Sequence, residues 1–490
     1  MCPPRLHGFA IGPSLLVLST AIACGSAAPS ALRTDGSGAP DTATTPRQPP
    51  GWDDEIRIPD AVDLNPSPAI VEVKLAAKLA SYDFVSGGPT TVWTYDGHVP
   101  GPLIRANVGD RVIIHFTNNL PDATSIHWHG LRISNAMDGM PGISQPAINP
   151  GESFDYDFVV PDASTFWYHP HVDSAAQVGF GMYGPLIVEA PREPAGLGDE
   201  VVLVLSDISV NADGTLMSED TGGDLGSLFG REGNVLLVNG RVRPTLKARP
   251  GLAQRWRLIN AARSRYFQVA LPGHTFLRIG GDGGLLAEPV TVAQPVLAPA
   301  ERADLIVVPT GEPGTDVVAS WIAFDRGFGT AFNRPPKDLF VVHLEGEPVA
   351  AQKVPDLHRD IPPLDLGTSG LVSLTLTEDQ LSPIELGING VPYAASQPVM
   401  AHVGDTQVWE ISNTMDFAHP FHLHGFFFQV LSPEGPLEWK DTVNVPVGGT
   451  VRFAVKYDDR PGMWMFHCHI LDHAEAGMMG SLMVMERDRN

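Results

Sequence analysis

One ten-residue pattern occurs three times in this chain and restricts the folds that it can adopt. Residues 109–118 read GDRVIIHFTN, residues 251–260 read GLAQRWRLIN and residues 404–413 read GDTQVWEISN. In each copy a glycine and an asparagine nine positions apart bracket alternating apolar residues, which is the pattern of a half-buried β-strand. Repetition of one strand signal at this wide spacing predicts three similar all-β units.

A second pattern supports the same division. PGESFDYDFVVP begins at residue 150, APAERADLIVVP at residue 298 and GGTVRFAVKY at residue 448. Short strands separated by glycine- and proline-rich turns favour Greek-key β-sandwiches. We place the units at residues 65–193, 194–352 and 353–490, with a proline-rich, aperiodic stretch at the second junction.

Four His-x-His pairs lie in the first and third units, and none lies in the second. Residues i and i+2 of a strand face the same way, so each pair presents two imidazoles on one face. Imidazole suits copper, zinc, iron and nickel. The pairs therefore predict a metal cluster between the outer units. The eight histidines are His127, His129, His169, His171, His422, His424, His467 and His469.

The cysteine in the fourth pair distinguishes among these metals. Cys468 lies between His467 and His469, so on a strand its sulfur points to the opposite face. The run HCHILDHAEAGMM also offers His473 and Met478, and HPFHLHG offers His419. Two histidines, a thiolate and a long axial methionine describe a blue-copper electron-transfer site.

Taken in this order, the four motifs resemble those of the multicopper oxidases, the family of laccases, cuprous oxidases and bilirubin oxidases. The resemblance implies three cupredoxin-like domains and four copper ions: one of type 1, one of type 2 and two of type 3. The type 1 copper would bind His419, Cys468 and His473, with Met478 axial. The type 2 copper would bind His127 and His422. The type 3 pair would bind His129, His169, His171, His424, His467 and His469.

The resemblance also implies catalytic roles. Electrons would enter at the type 1 copper and pass through Cys468 to the flanking histidines, and four one-electron oxidations would reduce one dioxygen to two waters. Asp138, eleven residues after His127, matches a proton-relay carboxylate of bacterial relatives, although Met137-Asp138-Gly139 is also good turn chemistry. The relatives' acidic residue after the last histidine is Ala474 here. Glu475, one position later, is either a second relay or a solvated loop residue.

The substrate class follows less directly. Within the family an axial methionine implies a lower potential than leucine or phenylalanine, hence easily oxidised donors such as phenols, aromatic amines or Cu(I). Residues 349–399 contain no methionine, unlike the Met-rich insert of specialised cuprous oxidases. Met415 and Asp416 either line a cation-binding rim or pack as loop residues. We predict a laccase-like oxidase of phenols and aromatic amines; the alternatives are a periplasmic cuprous oxidase and a copper-free scaffold protein.

The remaining predictions concern export and partners. A net charge of −24 argues against nucleic acid and anionic membranes as partners. Residues 1–24 resemble an export signal, and Cys24 resembles a lipobox cysteine whose lipidation would tether the protein to a membrane. Residues 25–64 are expected to be a disordered linker and lead-in. We expect a monomer that uses a small reducing substrate and O2, located in the periplasm or cell envelope as a lipoprotein, or secreted.

Overall fold

The computed structural model describes residues 46–487 apart from 329, 332, 368, 382–383 and 432–434. The predicted export signal, Cys24 and residues 25–45 of the predicted lead-in lie outside these residues. Within the described part, no helix has both the length and the apolar character needed to cross a membrane.

The first unit contains eight strands and a short helix. The strands are β1 (Ile70–Val85), β2 (Gly88–Tyr95), β3 (Ile104–Asn107), β4 (Arg111–Asn118), β5 (His127–His129), β6 (Ser153–Val159), β7 (Ser164–His169) and β8 (Gly184–Glu189). Helix α1 (Ser174–Gly179) follows β7, and a 3-10 turn (Asn135–Met137) follows β5. The strands form two sheets, in the orders β2-β1-β4-β6 and β3-β8-β7-β5.

The second unit is larger. Its strands are β9 (Asp199–Ile208), β10 (Val235–Val238), β11 (Thr245–Ala248), β12 (Gln254–Asn260), β13 (Phe267–Ala270), β14 (Phe276–Gly281), β15 (Gly284–Val292), β16 (Val296–Leu297), β17 (Arg302–Val307), β18 (Asp316–Ile322) and β19 (Lys337–Leu344). Helix α2 (Gly223–Phe229) lies between β9 and β10. The sheet orders are β10-β9-β12-β17-β14-β15 and β11-β19-β18-β13-β16.

The third unit repeats the arrangement. Its strands are β20 (Gly370–Leu381), β21 (Ile384–Ile388), β22 (Val399–His402), β23 (Thr406–Asn413), β24 (His419–Leu423), β25 (Phe428–Val430), β26 (Thr442–Val445), β27 (Thr450–Lys456), β28 (Gly462–Cys468) and β29 (Met479–Met485). A 3-10 turn (Tyr393–Ala395) follows β21, and helix α3 (Leu471–Glu475) follows β28. The sheet orders are β21-β20-β23-β27-β25 and β22-β29-β28-β24-β26.

The repeated sequence pattern corresponds to one structural position. Strands β4, β12 and β23 each have a parallel neighbour on one side (β1, β9 and β20) and an antiparallel neighbour on the other (β6, β17 and β27). Each unit pairs this sheet with a second one, and apolar side chains from both sheets fill the core. The all-β prediction of three similar sandwich units is confirmed.

The asparagine of the repeat closes the loop after the strand in all three units. The side chain of Asn413 accepts a hydrogen bond from the Met415 N–H at 2.9 Å and donates one to the Phe417 carbonyl at 2.8 Å. Asn118 and Asn260 make the corresponding bonds to their own loops. Because buried polar groups require partners, the residue cannot be exchanged freely. In the third unit the loop that it shapes leads directly into His419.

Part of the predicted lead-in is ordered. The Trp52 carbonyl accepts a hydrogen bond from the Lys247 N–H at 2.8 Å, and the Arg249 N–H donates to the Gln48 side chain at 3.0 Å. Ile56 and Ile58 are buried against the second and first units. Composition predicted disorder through this stretch, whereas these few apolar side chains provide enough burial to hold it on the surface of the sandwiches.

Candidate metal centres

The histidine pairs lie on equivalent strands of the outer units or just past their ends: His171, His424 and His469 each follow the last residue of a strand by one or two positions. Strand β5 pairs with β7 so that His127 lies opposite His169. In the third unit β24 pairs with β28 so that His422 lies opposite His467. Each outer unit thus brings two His-x-His pairs together through one antiparallel strand pair, which is why the pairs lie 42 and 45 residues apart in the sequence.

The two sets of pairs meet in one buried cluster. The ring nitrogens of His171, His424 and His467 lie within 4.8 Å of one another, as do those of His127, His422 and His424. The rings of His129 and His169 lie 5.0 Å and 5.4 Å from the ring of His469. Seven of the eight side chains are buried, and His171 is partly so. The structure therefore brings all eight predicted residues to one place between the first and third units.

Hydrogen bonds to the protein determine which ring nitrogen is free. In four of the rings Nδ1 donates to a backbone carbonyl at 2.8–3.0 Å. On three of these, Nε2 has no hydrogen-bond partner among the described residues. A nitrogen whose ring partner carries the proton has a lone pair available for a metal. The four donors are His127, His169, His422 and His467, and the three with a free Nε2 are His127, His169 and His422.

Burial also keeps seven of the eight imidazoles neutral. It lowers the pKa of His171 to about 3, and neighbouring imidazoles add to the effect. Burial is the largest cause of a lowered pKa at His129, His169, His422, His424, His467 and His469 as well. Neutral, converging nitrogens are the donor set that a transition metal requires. These residues therefore fit a cluster of imidazole-bound metal ions.

A second donor set lies on the other face of β28. The Cys468 sulfur is 3.5 Å from His419 Nδ1 and 3.6 Å from His473 Nδ1, and the two nitrogens are 3.1 Å apart. All three side chains are fully buried. Met478 is also buried, and its backbone bonds to Cys468 and His473 at 3.1 Å and 2.9 Å. These residues fit a thiolate–imidazole copper site, with Met478 placed as its neighbour.

The Cys468 thiol depends on a metal for its charge. Burial raises its pKa to about 12, so in the absence of a metal the thiol stays protonated at neutral pH. Metal binding to this site would release that proton. His467 and His469, on either side, belong to the eight-histidine cluster, so three consecutive residues at the end of β28 connect the two donor sets.

Asp138 bridges the outer units inside the cluster. Its side chain accepts a hydrogen bond from His424 Nδ1 at 3.0 Å and lies 3.4 Å from His127 Nδ1, and its backbone carbonyl accepts from His127 at 2.8 Å. Burial alone would raise its pKa, but the imidazoles of His424 and His127 outweigh burial and hold the pKa well below its ordinary value. An ionised carboxylate thus contacts one predicted ligand from each outer unit.

Glu475 makes its described contacts with the first unit, at the start of α1, and not with the histidine cluster. Its carboxylate accepts a hydrogen bond from the Ala175 N–H at 2.8 Å, at the start of α1, and shares a hydrogen bond with the Asp173 carboxyl. The described contacts of Glu475 include none to the histidine rings. Its position joins α3 of the third unit to α1 of the first.

Met415 does not form a rim. It is 5% exposed and belongs to the apolar core of the third unit, whereas Asp416 beside it is exposed. The interpretation of Met415 as a lining of a cation site is therefore wrong. Its side chain packs inward because Asn413 binds its backbone N–H and turns the loop.

Sequence reasoning missed Asp441. Its backbone carbonyl accepts from His422 Nδ1 at 2.9 Å, and its carboxylate lies 3.2 Å from His129 Nε2. Gly130 explains the close packing here: its φ is +85°, and a Cβ would lie 2.6 Å from an Asp441 oxygen. Asp441 thus orients one histidine from each outer unit, although nothing in its sequence context marks it.

The middle unit supplies the partner of Asp441. The Arg302 guanidinium binds both carboxylate oxygens, at 2.8 Å and 2.5 Å, and donates to the Thr165 carbonyl of the first unit at 3.0 Å. All three units therefore meet at one fully buried side chain. A bidentate arginine–carboxylate pair fixes orientation as well as distance. A unit without histidine pairs thus still positions the cluster.

The buried histidines should make the copper-free protein acid-sensitive. Their folded pKa values lie below the value of about 6.5 that they regain on unfolding, so below pH 6.5 the unfolded chain binds more protons. Each contributes stability that is present above pH 6.5 and decreases, as the pH falls, by up to about 1.4 kcal/mol per pH unit. We expect urea unfolding of the copper-free protein to show a clearly lower free energy of unfolding at about pH 5.5 than at about pH 7.5. Equal free energies of unfolding at the two pH values would contradict this prediction. As a control, replacement of His402, which is half exposed on the surface, should leave the difference between the two pH values unchanged.

Comparison with known proteins agrees with this geometry. Three family models, each described as multicopper oxidase, match residues 78–193, 199–332 and 366–488. The multicopper oxidase MmcO of Mycobacterium tuberculosis is 34% identical over 433 residues, which cover 80% of this chain and 83% of the relative. A laccase of Bacillus subtilis is 28% identical over 465 residues, covering 80% and 90%.

Solved structures show the same likeness. A multicopper oxidase from Campylobacter jejuni, described as a metallo-oxidase, superposes with a TM-score of 0.78 at 27% identity, covering 88% of this chain and 94% of that one. The fold and the donor sets define a copper-dependent oxidoreductase built from cupredoxin-like domains. The chain belongs to the multicopper oxidase family. It is an enzyme that couples the oxidation of a reducing substrate to the reduction of O2.

Proposed function

We propose that the two donor sets hold four copper ions and serve a laccase-like oxidase. His419, Cys468 and His473 would hold the type 1 copper, with Met478 as a further ligand. His127 and His422 would hold the type 2 copper. The type 3 pair would be held by His129, His169, His171, His424, His467 and His469. The observation that carries the proposal is the opposite orientation of Cys468 and its two neighbours, His467 on β28 and His469 just past the end of the strand.

Bound copper would supply single-electron chemistry at the Cys468 site and dioxygen reduction at the eight-histidine cluster. The protein's part is to fix the donors and to exclude water. Main-chain carbonyls and Asp441 set the tautomers of the rings, and burial keeps them neutral. Preorganised, dry donor sets need little rearrangement during turnover.

Asp138 is proposed as the proton relay. It touches His424 and His127, which come from different units and belong to the type 3 and type 2 sets. Reduction of dioxygen to water consumes protons, and a carboxylate at this position can pass them inward. Glu475 remains a second relay candidate on the α3 side, where it pairs with Asp173.

The preferred donors are phenols and aromatic amines. Met415, four residues before His419, is in the core of the third unit and is not available to an external cation. The Bacillus subtilis relative is named a laccase. The second candidate is cuprous oxidation: the Campylobacter jejuni structure is described as a metallo-oxidase, a Pseudomonas syringae relative is named a copper resistance protein A homolog, and the chain carries a net charge of −24.

We further propose an exported monomer, tethered through a lipidated Cys24 or secreted.

A direct comparison of donors tests the function. The copper-loaded protein is given a phenol, an aromatic amine or Cu(I) under the same oxygen concentration, and oxygen consumption is recorded. We expect kcat/KM for the phenol or the amine to exceed that for Cu(I). A higher kcat/KM for Cu(I) would support the second candidate, and failure to bind copper would support a scaffold role.

A further inference from the structure

The middle unit covers the proposed type 1 ligands. His419 and His473 are both fully buried. His473 Nε2 donates a hydrogen bond to the Leu228 carbonyl in α2 at 3.0 Å. A donor molecule in solution therefore touches neither imidazole, and its electron has to cross the residues of the cover.

A row of aromatic rings leads through this cover. Phe328, 66% exposed, stacks on Phe229 with centroids 5.7 Å apart and planes 12° apart. The Phe229 ring lies 5.8 Å from that of Phe417. The Phe417 ring lies 5.4 Å from that of His419 and 5.8 Å from that of His473. Neighbouring rings thus connect an exposed aromatic side chain to both type 1 histidines.

Arg326 holds this row together. Its guanidinium lies 5.5 Å from the Phe417 centroid and donates a hydrogen bond to the Phe229 carbonyl. Its backbone carbonyl accepts from the Ala418 N–H at 2.7 Å, next to His419. The segment carrying Phe328 is therefore fixed to the strand that delivers a type 1 ligand.

The outer end of the row is an apolar surface. Leu225, 65% exposed, lies one helical turn before Phe229 on α2. Val447, 45% exposed, lies against Gly327. We call Leu225, Phe229, Phe328 and Val447 the ring-stacking face. Clustered exposed apolar side chains mark binding sites more often than isolated ones do.

The surroundings of the face restrict its occupant. Asp325, three residues before Phe328, is exposed, and so is Asp416, whose backbone contacts Gly327. These carboxylates disfavour an anionic ligand. The four side chains of the face carry neither sulfur nor nitrogen, so they offer a metal ion no ligand.

We propose that the ring-stacking face binds one planar aromatic donor, uncharged or cationic, by stacking on Phe328, so that the donor is oxidised without contact to the type 1 histidines. The inference rests on the proposed function and adds the docking position and the class of donor. An aromatic pair contributes enough binding for loss of the ring to be measurable as about a tenfold change.

The test compares a ring-containing donor with a ring-free one. Copper-loaded Phe328→Ala is assayed with N,N-dimethyl-p-phenylenediamine and with ferrocyanide. We expect kcat/KM for the amine to fall about tenfold, ferrocyanide oxidation to stay within about twofold, and copper content and blue absorption to be unchanged. Phe328→Trp, which keeps a ring, should restore amine oxidation. Leu371→Ala, which removes a side chain 60% exposed elsewhere, is the matched control.

Two results would overturn the inference: unchanged amine oxidation in Phe328→Ala, or an equal loss with both donors. If Phe328→Ala loses blue absorption, Phe328→Leu, which keeps apolar bulk without a ring, takes its place. Its oxidation of the amine and of ferrocyanide is then compared with that of the wild type, and the same two results would overturn the inference. A wild-type protein that binds copper but oxidises neither donor refutes the proposed function instead. In that case calorimetric binding of the amine to copper-loaded wild type and Phe328→Ala decides the docking claim, and equal affinities refute it.

Discussion

Replacing Cys468 by serine should abolish the blue absorption of the copper-loaded protein and lower turnover with every donor by more than about a hundredfold. Changes around the ligands of a metal commonly cost 10–100-fold in activity or affinity, and this change removes a ligand itself. Cys468 is also the residue that connects the two donor sets, because His467 precedes it on β28 and His469 directly follows it at the end of the strand. Serine keeps the size of the side chain but loses the soft thiolate.

The measurements for Cys468→Ser are the absorption spectrum, the copper content and oxygen consumption. The eight-histidine cluster does not include the sulfur, so we expect three of the four copper ions to remain. Met479→Leu, beside the proposed axial ligand but only partly buried, is the control and should keep both colour and activity. A blue, active Cys468→Ser protein would show that the sulfur is not a ligand.

Replacing Asp138 by asparagine should slow dioxygen reduction by about a hundredfold, the lower range for a lost general acid or base. Asparagine has the same shape and can still accept from His424 Nδ1, but it carries no charge and takes up no proton. Reduction of the type 1 copper by a donor should be unaffected, because Asp138 contacts none of His419, Cys468 or His473 in the described hydrogen bonds.

Stopped-flow spectroscopy separates the two half-reactions. Without oxygen, the blue absorption of Asp138→Asn should bleach at the wild-type rate; with oxygen, the colour should return slowly. Asp155→Asn, a surface substitution beside the exposed His115, is the control. Normal turnover by Asp138→Asn would refute the relay and leave Asp138 as a turn residue that orients two rings.

Local patterns predicted the parts of the site that depend on one strand at a time. Alternation along β28 indicated that Cys468 and its neighbours face opposite ways, and the equivalent spacing of the pairs indicated two similar outer units. The glycine and asparagine nine positions apart indicated one recurring strand, whereas the loop that the asparagine closes is known only from the structure. These features are predictable because the side-chain period of a strand is fixed.

Contacts between units could not be predicted in this way. Asp441 belongs to no motif, and the repeat that contains Arg302 does not single out this side chain. The two residues lie 139 positions apart and meet only because the second and third sandwiches pack together. Leu228 and His473 lie 245 positions apart in the sequence, and they too are in contact only because the second and third sandwiches pack together. Sequence periodicity describes which way a side chain points within its own sheet, but it does not indicate which distant residue it meets.

The most direct test of the two donor sets is a crystal structure of the copper-loaded protein with anomalous diffraction recorded at the copper edge. We predict one peak between Cys468, His419 and His473, and three further peaks enclosed by the eight paired histidines. A single ion shared by the Cys468 sulfur and the His467 and His469 rings, or an absence of copper at both sets, would contradict this prediction.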